Sequence, residues 1–114
     1  MADCLFCRII KREIPASIVY EDDRVLAFND INPQAPTHVL VVPKRHIASL
    51  NDLTADDDQI VGELSRRAAA IATERGISAG GYRTVFNTNL DAGQTVFHIH
   101  LHLLGGRVMH WPPG

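Results

Sequence analysis

The most regular alternation of polar and apolar residues lies near the C-terminal end of the chain, in the run His98-Ile99-His100-Leu101-His102-Leu103-Leu104. A period of two is typical of a half-buried strand, because successive side chains of a strand point to opposite faces of the sheet. The run therefore predicts a strand over residues 98–104. Its apolar side chains would face a core, and its three histidines would share the opposite face.

Four other segments predict further strands, over residues 17–20, 25–28, 38–43 and 82–87. The first two flank the polar segment Glu21-Asp22-Asp23-Arg24, which is typical of a hairpin turn. The segment 38–43 is apolar almost throughout, which indicates burial on both faces of the sheet.

Two segments have helical patterns. Residues 4–11 predict a short helix, which ends before Pro15 because the residue that precedes a proline avoids helical torsion angles. A long helix is predicted to begin at Thr54, with Asp57 as a capping-box partner, and to end at Arg75 before Gly76. Its apolar stripe consists of Ile60, Leu64, Ala68, Ile71 and Ala72. Together the elements predict an α+β fold, with an antiparallel sheet of about five strands that carries the long helix.

Composition and charge narrow the class of protein. The 114 residues suit one domain, residues 1–114, and the net charge of −2 gives no electrostatic basis for binding a nucleic acid polymer or an anionic membrane. No apolar run approaches the ~20 residues of a membrane span, and the N-terminal segment lacks the pattern of a secretory signal. Two cysteines make no disulfide framework, so we expect a cytoplasmic protein.

The three histidines indicate chemistry rather than a contribution to stability. In a strand they would lie about 6.6 Å apart, and close imidazoles resist being charged together. A three-histidine zinc site is one alternative, but the outer rings would lie about 13 Å apart, whereas zinc holds its nitrogen ligands at about 2.0–2.1 Å. The pattern favours a chemical role for His100, with His98 and His102 as supports.

Two other segments could bind a ligand. In the loop before the histidines, Gly93 allows a close approach of the backbone, and Gln94 and Thr95 offer donors for an anion such as phosphate; a solvated loop is the alternative. Asp30 follows a predicted strand and could accept hydrogen bonds from a ribose, although turn formation also explains it. His38 is either a structural residue or a partner that fixes the tautomer of a neighbouring ring.

Cys4 and Cys7 form a Cys-x-x-Cys pair. No βαβ pattern follows the pair, which disfavours a redox role. The cysteines are either two buried structural thiols or half of a zinc site, which needs two more ligands. His46 and His98 could supply those ligands only through the tertiary fold.

Taken together, these residues resemble the histidine triad (HIT) family, in its purine-nucleotide-binding, adenosine phosphoramidase branch. Residues 98–104 meet the motif His-φ-His-φ-His-φ-φ, in which φ is an apolar residue. Residues 28–38, 43–47 and 93–97 are also similar. The ending Gly-Gly-Arg-Val-Met-His-Trp-Pro-Pro-Gly, residues 105–114, is characteristic of that branch.

The resemblance implies a HIT-like subunit that forms a homodimer, with one sheet continuous across the interface. It implies that His100 attacks the α-phosphorus of an AMP or GMP derivative, expels the amine and forms a nucleotidyl-histidine that water then cleaves. His98, through its carbonyl or its ring, and His38 would orient His100, and His102 would donate to a phosphate oxygen. The chemistry requires no cofactor.

The resemblance also implies a nucleotide site. Asp30 would hold the ribose, Asn87 would contact the nucleotide near the phosphate, and Trp111 would reach toward the partner's site. The walls of the purine pocket would be apolar: Phe6, Ile9, Phe28 and Ile31. The phosphate would lie beside the loop residues Gly93, Gln94 and Thr95.

Two features distinguish the chain from close relatives in this branch. Thr95 is often serine there, and because the hydroxyl is kept we expect little change. The pair Cys4 and Cys7 is absent from many animal members, whereas zinc-bearing bacterial relatives use a similar pair with the histidines that correspond to His46 and His98. This implies a structural zinc.

Three other functions compete with this interpretation. The chain could be a nucleotide-binding regulatory protein with incidental catalysis, a dinucleoside polyphosphate hydrolase of another branch, or a structural zinc module. The intact triad favours catalysis, and the ending Trp111-Pro112-Pro113-Gly114 argues against the polyphosphate branch.

Overall fold

The structure, a computed structural model, describes residues 4–114. Its helices and strands are α1 (Leu5–Ile10), β1 (Ile18–Glu21), β2 (Val25–Asn29), β3 (Thr37–Pro43), α2 (Asp58–Glu74), β4 (Tyr82–Val85) and β5 (Leu101–Gly105). Single 3₁₀ turns lie at Leu50–Asp52, Ala55–Asp57 and Leu90–Ala92. Among the described residues, no helix is both long and apolar enough to cross a membrane.

The five strands form one antiparallel sheet in the order β1-β2-β3-β5-β4. The predicted α+β architecture, with one long and one short helix, is therefore confirmed. β3 is the central strand, and all seven of its residues are buried, as the apolar segment 38–43 predicts. It pairs with β5, so His38 lies beside the strand that carries His102.

One face of the sheet, here called the α2 face, packs against the long helix. The predicted apolar stripe of α2 is the set of helix residues that the structure buries. These residues meet Val39 and Val41 of β3, and Ile99, Leu101 and Leu103 at the C-terminal end of the chain. The alternation of the histidine run thus places its apolar side chains in the core, as predicted.

The opposite face, here called the α1 face, packs against the short helix. Phe6 and Ile9 of α1 are buried against Leu40 and Val42, the alternate residues of β3. This second cluster is smaller than the first and adjoins the histidines.

The helix α2 begins later than the sequence predicts. Thr54 and Asp57 do form a capping box, and the Asp57 carboxylate accepts a hydrogen bond from the Thr54 backbone N–H at 2.8 Å. The box, however, caps a 3₁₀ turn, and regular α-helix begins only at Asp58. At the other end, Gly76 adopts a φ of 74°, the left-handed geometry that is typical of a helix C-terminus.

The predicted strand over residues 98–104 is wrong at its start, because β5 begins at Leu101. The β3–β5 ladder pairs Val41 with Leu101, and continuing this register would place Ile99 opposite Pro43, which has no N–H to donate. The Ile99 N–H instead donates to the Ile47 carbonyl at 2.8 Å. β4 also ends earlier than predicted, at Val85 rather than at residue 87.

Candidate functional site

A cavity of ≈ 380 Å³ opens on the α1 face, a volume within the range of small-molecule sites. Its walls come from α1, the segment 14–16, the end of β2 with the following loop, and the segment before β5. Many of the predicted site residues line it: Phe6, Ile9, Phe28, Asp30, Ile31, Thr95, His100 and His102. The fold therefore brings the predicted base wall, ribose residue and two triad histidines to one place.

His100 has a tautomer that its partner determines. Its Nδ1 lies 2.8 Å from the His98 carbonyl oxygen, which can only accept, so Nδ1 carries the proton. In the neutral ring Nε2 is then unprotonated, and this nitrogen has no hydrogen-bond partner among the described residues. The residue is 9% exposed, and burial lowers the pKa of its imidazole. His100 thus offers a neutral ring with an available nitrogen at the cavity.

His38 and His102 form a chain of hydrogen bonds whose direction is also fixed. The Gln34 backbone N–H donates to His38 Nδ1 at 3.0 Å, so the proton of a neutral His38 lies on Nε2. This Nε2–H donates to His102 Nδ1 at 2.9 Å, which leaves the proton of His102 on Nε2. His38 therefore orients His102, whereas the family resemblance implied that it orients His100.

Burial keeps these rings neutral. It is the main cause that lowers the pKa of His102 to about 4, with repulsion from His100 and His38 as further causes. Burial also lowers the pKa of His38, against the opposing effect of the Asp30 carboxylate. At pH 7 the site therefore presents an unprotonated nitrogen on one ring and an N–H donor on another.

Asp30 has two roles in the structure. One carboxylate oxygen accepts from the Asn32 backbone N–H at 2.8 Å, which is the turn that the sequence offered as an alternative. The other oxygen lies 3.4 Å from His38 Nε2, at the cavity. Asp30, His38 and His102 are also close enough to be metal ligands, but the hydrogen bonds from Gln34 through His38 already explain how closely the two rings approach.

Gln94 is buried, and the backbone engages its amide. Its Oε1 accepts from the Asn89 N–H at 2.8 Å, and its Nε2 donates to the Ala48 and Val96 carbonyls at 2.9 and 3.2 Å. The side chain therefore holds the loop in shape, while the exposed Thr95 lies at the cavity. Gly93, with a φ of 84°, ends the 3₁₀ turn Leu90–Ala92 just before Gln94.

Some predicted residues lie away from the cavity, and the sequence missed others that line it. Asn87, Gly93, Gln94 and Trp111 are not among the lining residues, and Trp111 is 82% exposed. The missed residues are mostly apolar: Leu5, Ile14, Pro15, Ala16, Asn29, Leu40 and Val96. For the segment 14–16, the only sequence signal was its proline, which we interpreted as the end of a helix.

A second cluster lies behind the triad. The donor atoms of Cys4, Cys7, His46 and His98 all lie within 4.8 Å of one another. His98 Nδ1 is 3.3 Å from Cys4 Sγ, 3.5 Å from Cys7 Sγ and 3.2 Å from His46 Nδ1. A tetrahedral zinc with bonds of about 2.3 Å to sulfur and about 2.0–2.1 Å to nitrogen would hold its ligands about 3.3–3.8 Å apart. The four residues therefore fit zinc.

The ring nitrogens of His98 and His46 that face away from the sulfurs also matter for the fit to zinc. His98 is fully buried, and its Nε2–H donates to the Pro43 carbonyl at 2.7 Å, which leaves Nδ1 unprotonated toward the cluster. Such a backbone acceptor behind a histidine is typical of metal ligands. Burial is the main cause that lowers the pKa of His98 to about 4. His46 Nε2 is buried with no partner among the described residues.

The chain is similar to known proteins over nearly its whole length. Residues 3–110 match the family described as "Scavenger mRNA decapping enzyme C-term binding". An uncharacterized HIT-like protein of Synechococcus elongatus is 55% identical over 98% of this chain and 97% of its own length. The purine nucleoside phosphoramidase of Escherichia coli K12 is 52% identical over 92% of this chain and 88% of its own. A HIT family hydrolase from Legionella pneumophila has a TM-score of 0.97 and 56% identity, covering 98% of this chain and 100% of that one.

Proposed function

The chain belongs to the histidine triad (HIT) family, and we propose that it is a hydrolase that cleaves the P–N bond of purine nucleoside phosphoramidates. The observation that carries the proposal is the hydrogen bond of 2.8 Å from His100 Nδ1–H to the His98 carbonyl, which makes Nε2 the reactive nitrogen at the cavity. The name of the Escherichia coli relative supports the choice of substrate.

In the first step His100 Nε2 attacks the α-phosphorus. A bond forms between this nitrogen and phosphorus, the bond from phosphorus to the substrate nitrogen breaks, and the amine leaves with a proton from solvent. Attack places positive charge on the ring, which the His98 carbonyl stabilises through Nδ1–H. In the second step water attacks phosphorus, which releases the purine nucleotide, returns the electron pair to Nε2 and gives a proton to solvent.

His102 serves the transferring group as a donor. Because His38 donates to His102 Nδ1, the Nε2–H of His102 is available for a non-bridging phosphate oxygen. A neutral donor of this kind stabilises charge that builds up as the phosphorus is attacked. The Thr95 hydroxyl at the cavity is a second donor.

The purine and the ribose of the nucleotide fit the other walls of the cavity. The rings of Phe6 and Phe28 meet edge to face at 5.4 Å and, with Ile9 and Ile31, offer an apolar site for a purine. The Asp30 carboxylate at the end of β2 can accept from the ribose hydroxyls. Asn87 and Trp111 lie outside this cavity. Any contact that they make with the nucleotide therefore needs a second subunit or a movement of the segments that carry them.

We also propose that Cys4, Cys7, His46 and His98 hold a structural zinc. When bound, zinc supplies a rigid tetrahedral link and no chemistry at the phosphorus. Metal analysis of the purified protein tests this, with one zinc per chain expected and none in a Cys4→Ser/Cys7→Ser variant.

The edge of the sheet supports a homodimer. β4 pairs on one side with β5, and its other side has no strand partner among the described residues. An unpaired edge with the part-exposed Tyr82 can join a second copy and continue the sheet. Sedimentation velocity should give twice the chain mass, and a monomer would contradict this part of the proposal.

The substrate class is tested by comparing turnover of an AMP–amine phosphoramidate with turnover of diadenosine tetraphosphate. We expect the phosphoramidate to be cleaved much faster. Faster cleavage of the polyphosphate would assign the chain to another branch. Binding of AMP without turnover of either compound would favour a regulatory nucleotide-binding protein.

A further inference from the structure

The candidate metal site and the candidate active site share structural parts. We infer that occupation of the Cys4/Cys7/His46/His98 site by zinc clamps α1 on the sheet, and that this clamp sets both the affinity for the nucleotide and the orientation of His100. The inference rests on the zinc proposed above, and its part on nucleotide affinity rests also on the proposed catalytic function.

The small size of α1 makes the helix depend on its contacts. It has six residues, and only Phe6 and Ile9 are buried. A helix of this length does not persist alone in water and has to be held by its contacts. Cys4 is the N-cap of α1 and Cys7 lies in its first turn, and their sulfurs approach His98 and His46 at 3.3 and 3.5 Å. A bound cation would therefore join the start of α1 to His46 and His98 on the sheet side of the molecule.

Phe6, between the two cysteines, links α1 to the nucleophile. Its ring meets the His100 ring edge to face, with centroids 5.0 Å apart and an interplanar angle of 87°. The same ring contacts Phe28 and lines the cavity. Movement of α1 away from the sheet would remove a wall of the purine site and a packing partner of the nucleophile together.

His98 belongs to both sites. Its Nδ1 faces the thiols, its Nε2–H donates to Pro43, and its carbonyl accepts from His100. With a cation bound, both ring nitrogens are held, so the peptide that orients His100 is held as well. Without one, two sulfurs and two imidazole nitrogens face one another with no ion between them, and metal sites of this kind lose order when the metal leaves.

Loss of the metal should disturb the α1 face and leave the α2 face unchanged. The apolar cluster of the α2 face contains no residue of α1. Leu64 and Ile71 of α2 are 0% and 1% exposed in that cluster and should keep their packing when α1 is released. Their methyl groups therefore report whether the chain stays folded.

The test uses the full chain in three forms: zinc-loaded wild type, wild type stripped with a chelator, and a Cys4→Ser/Cys7→Ser variant. Serine keeps the hydrogen bond by which Cys4 caps α1, since Cys4 Sγ accepts from the Cys7 N–H at 3.3 Å. Arg8→Ser, on the exposed side of the same helix, is the matched control. Imidazole and methyl NMR spectra are recorded for each form without ligand, and AMP affinity is then measured by calorimetry.

We expect zinc-loaded wild type and Arg8→Ser to show a protected His100 Nδ1 proton and a nuclear Overhauser effect between Phe6 and His100. The stripped protein and the cysteine variant should lose both signals, keep the methyl shifts of Leu64 and Ile71, and bind AMP about 10-fold more weakly or worse. Unchanged imidazole signals or unchanged affinity in the stripped protein would overturn the inference. Loss of the methyl signals at the same time would also overturn it, because the metal would then support the whole fold. If no form bound AMP while the imidazole signals still followed the metal, the clamp would stand and the proposed function would fail.

Discussion

The two faces of the C-terminal histidine run bury different kinds of groups. On the α2 face, Leu101 and Leu103 are 1% and 0% exposed within the larger apolar cluster. On the α1 face, His98 and His100 are 0% and 9% exposed, and their ring N–H groups donate to the carbonyls of Pro43 and His98. Residues that are neighbours in the chain thus lie in an apolar core on one face and beside carbonyl acceptors on the other.

One segment of the chain can thus serve stability and chemistry at alternate positions. A buried apolar side chain needs only close packing, whereas each buried imidazole ring also needs a hydrogen-bond partner in a fixed direction. We therefore expect substitutions on the α2 face to change the free energy of unfolding with little change in turnover per folded molecule. On the α1 face we expect the reverse.

The largest effect is expected for His100→Asn, on the α1 face. It removes the nucleophile while its side-chain amide can still donate to the His98 carbonyl, so kcat for an AMP–amine phosphoramidate should fall by about 10⁴-fold or more. Calorimetry should show AMP affinity within a few-fold of wild type, and urea unfolding should show little change. A variant that kept a tenth of wild-type turnover would contradict the role of His100.

The matching substitution on the α2 face is Leu101→Ala, next to the nucleophile. It leaves a cavity beneath α2 and should lower the free energy of unfolding by about 2–5 kcal/mol, measured in urea. Turnover per folded molecule at low temperature should stay within a few-fold of wild type. Leu104→Ala is the control, because this leucine is only partly buried and should cost less. If turnover per folded molecule of Leu101→Ala fell well below that of wild type, the two faces would not have separate roles.

Between pH 7 and 5, a change of pH acts mainly on the buried histidines of the α1 face, whose pKa values the fold lowers. The pKa of His102 is lowered to about 4 in the fold, against about 6.5 in an unfolded chain, so unfolding takes up a proton between these values. The free energy of unfolding should therefore fall as the pH drops below about 6.5, and His102 should contribute about 2 kcal/mol of that fall at pH 5. Urea unfolding of wild type and His102→Gln at pH 7 and 5 measures this share. Equal losses in the two proteins would show that His102 is not the cause.

The smallest effect is expected at the cavity rim. Thr95→Ser keeps the hydroxyl and should leave kcat/KM within about twofold of wild type. Thr95→Val removes one neutral donor and should lower kcat/KM by the equivalent of about 1 kcal/mol. Steady-state kinetics with the same substrate compare the three proteins. A Val variant as active as the Ser variant would remove Thr95 from the phosphate site.

The sequence predicted those features that depend on local pattern. The stripe of α2, the burial of β3 and the two faces of the histidine run follow from periodicity, which the backbone geometry imposes. The start of β5 did not follow, because it depends on Pro43 in the neighbouring strand and on the Ile47 carbonyl. Whether a ladder continues is decided by the partner strand and not by the strand itself.

The site was predictable to the extent that its residues belong to motifs. The partner of His38 could not be derived from spacing, since it depends on a diagonal contact between β3 and β5 and on the Gln34 N–H. The engagement of Gln94 by three backbone groups was equally hidden. The cysteine cluster required tertiary contacts across more than 90 positions, as between Cys4 and His98.

The covalent role of His100 can be tested by mass spectrometry of the protein quenched during turnover of an AMP–amine phosphoramidate. Wild type and His100→Gly are quenched in parallel, on a time scale shorter than one turnover, and digested under conditions that preserve phosphorus–nitrogen bonds. We expect a nucleotidyl adduct on wild type alone, mapped to His100. An adduct on another residue, or rapid turnover of wild type with every histidine unmodified at all quench times, would show that His100 is not the nucleophile.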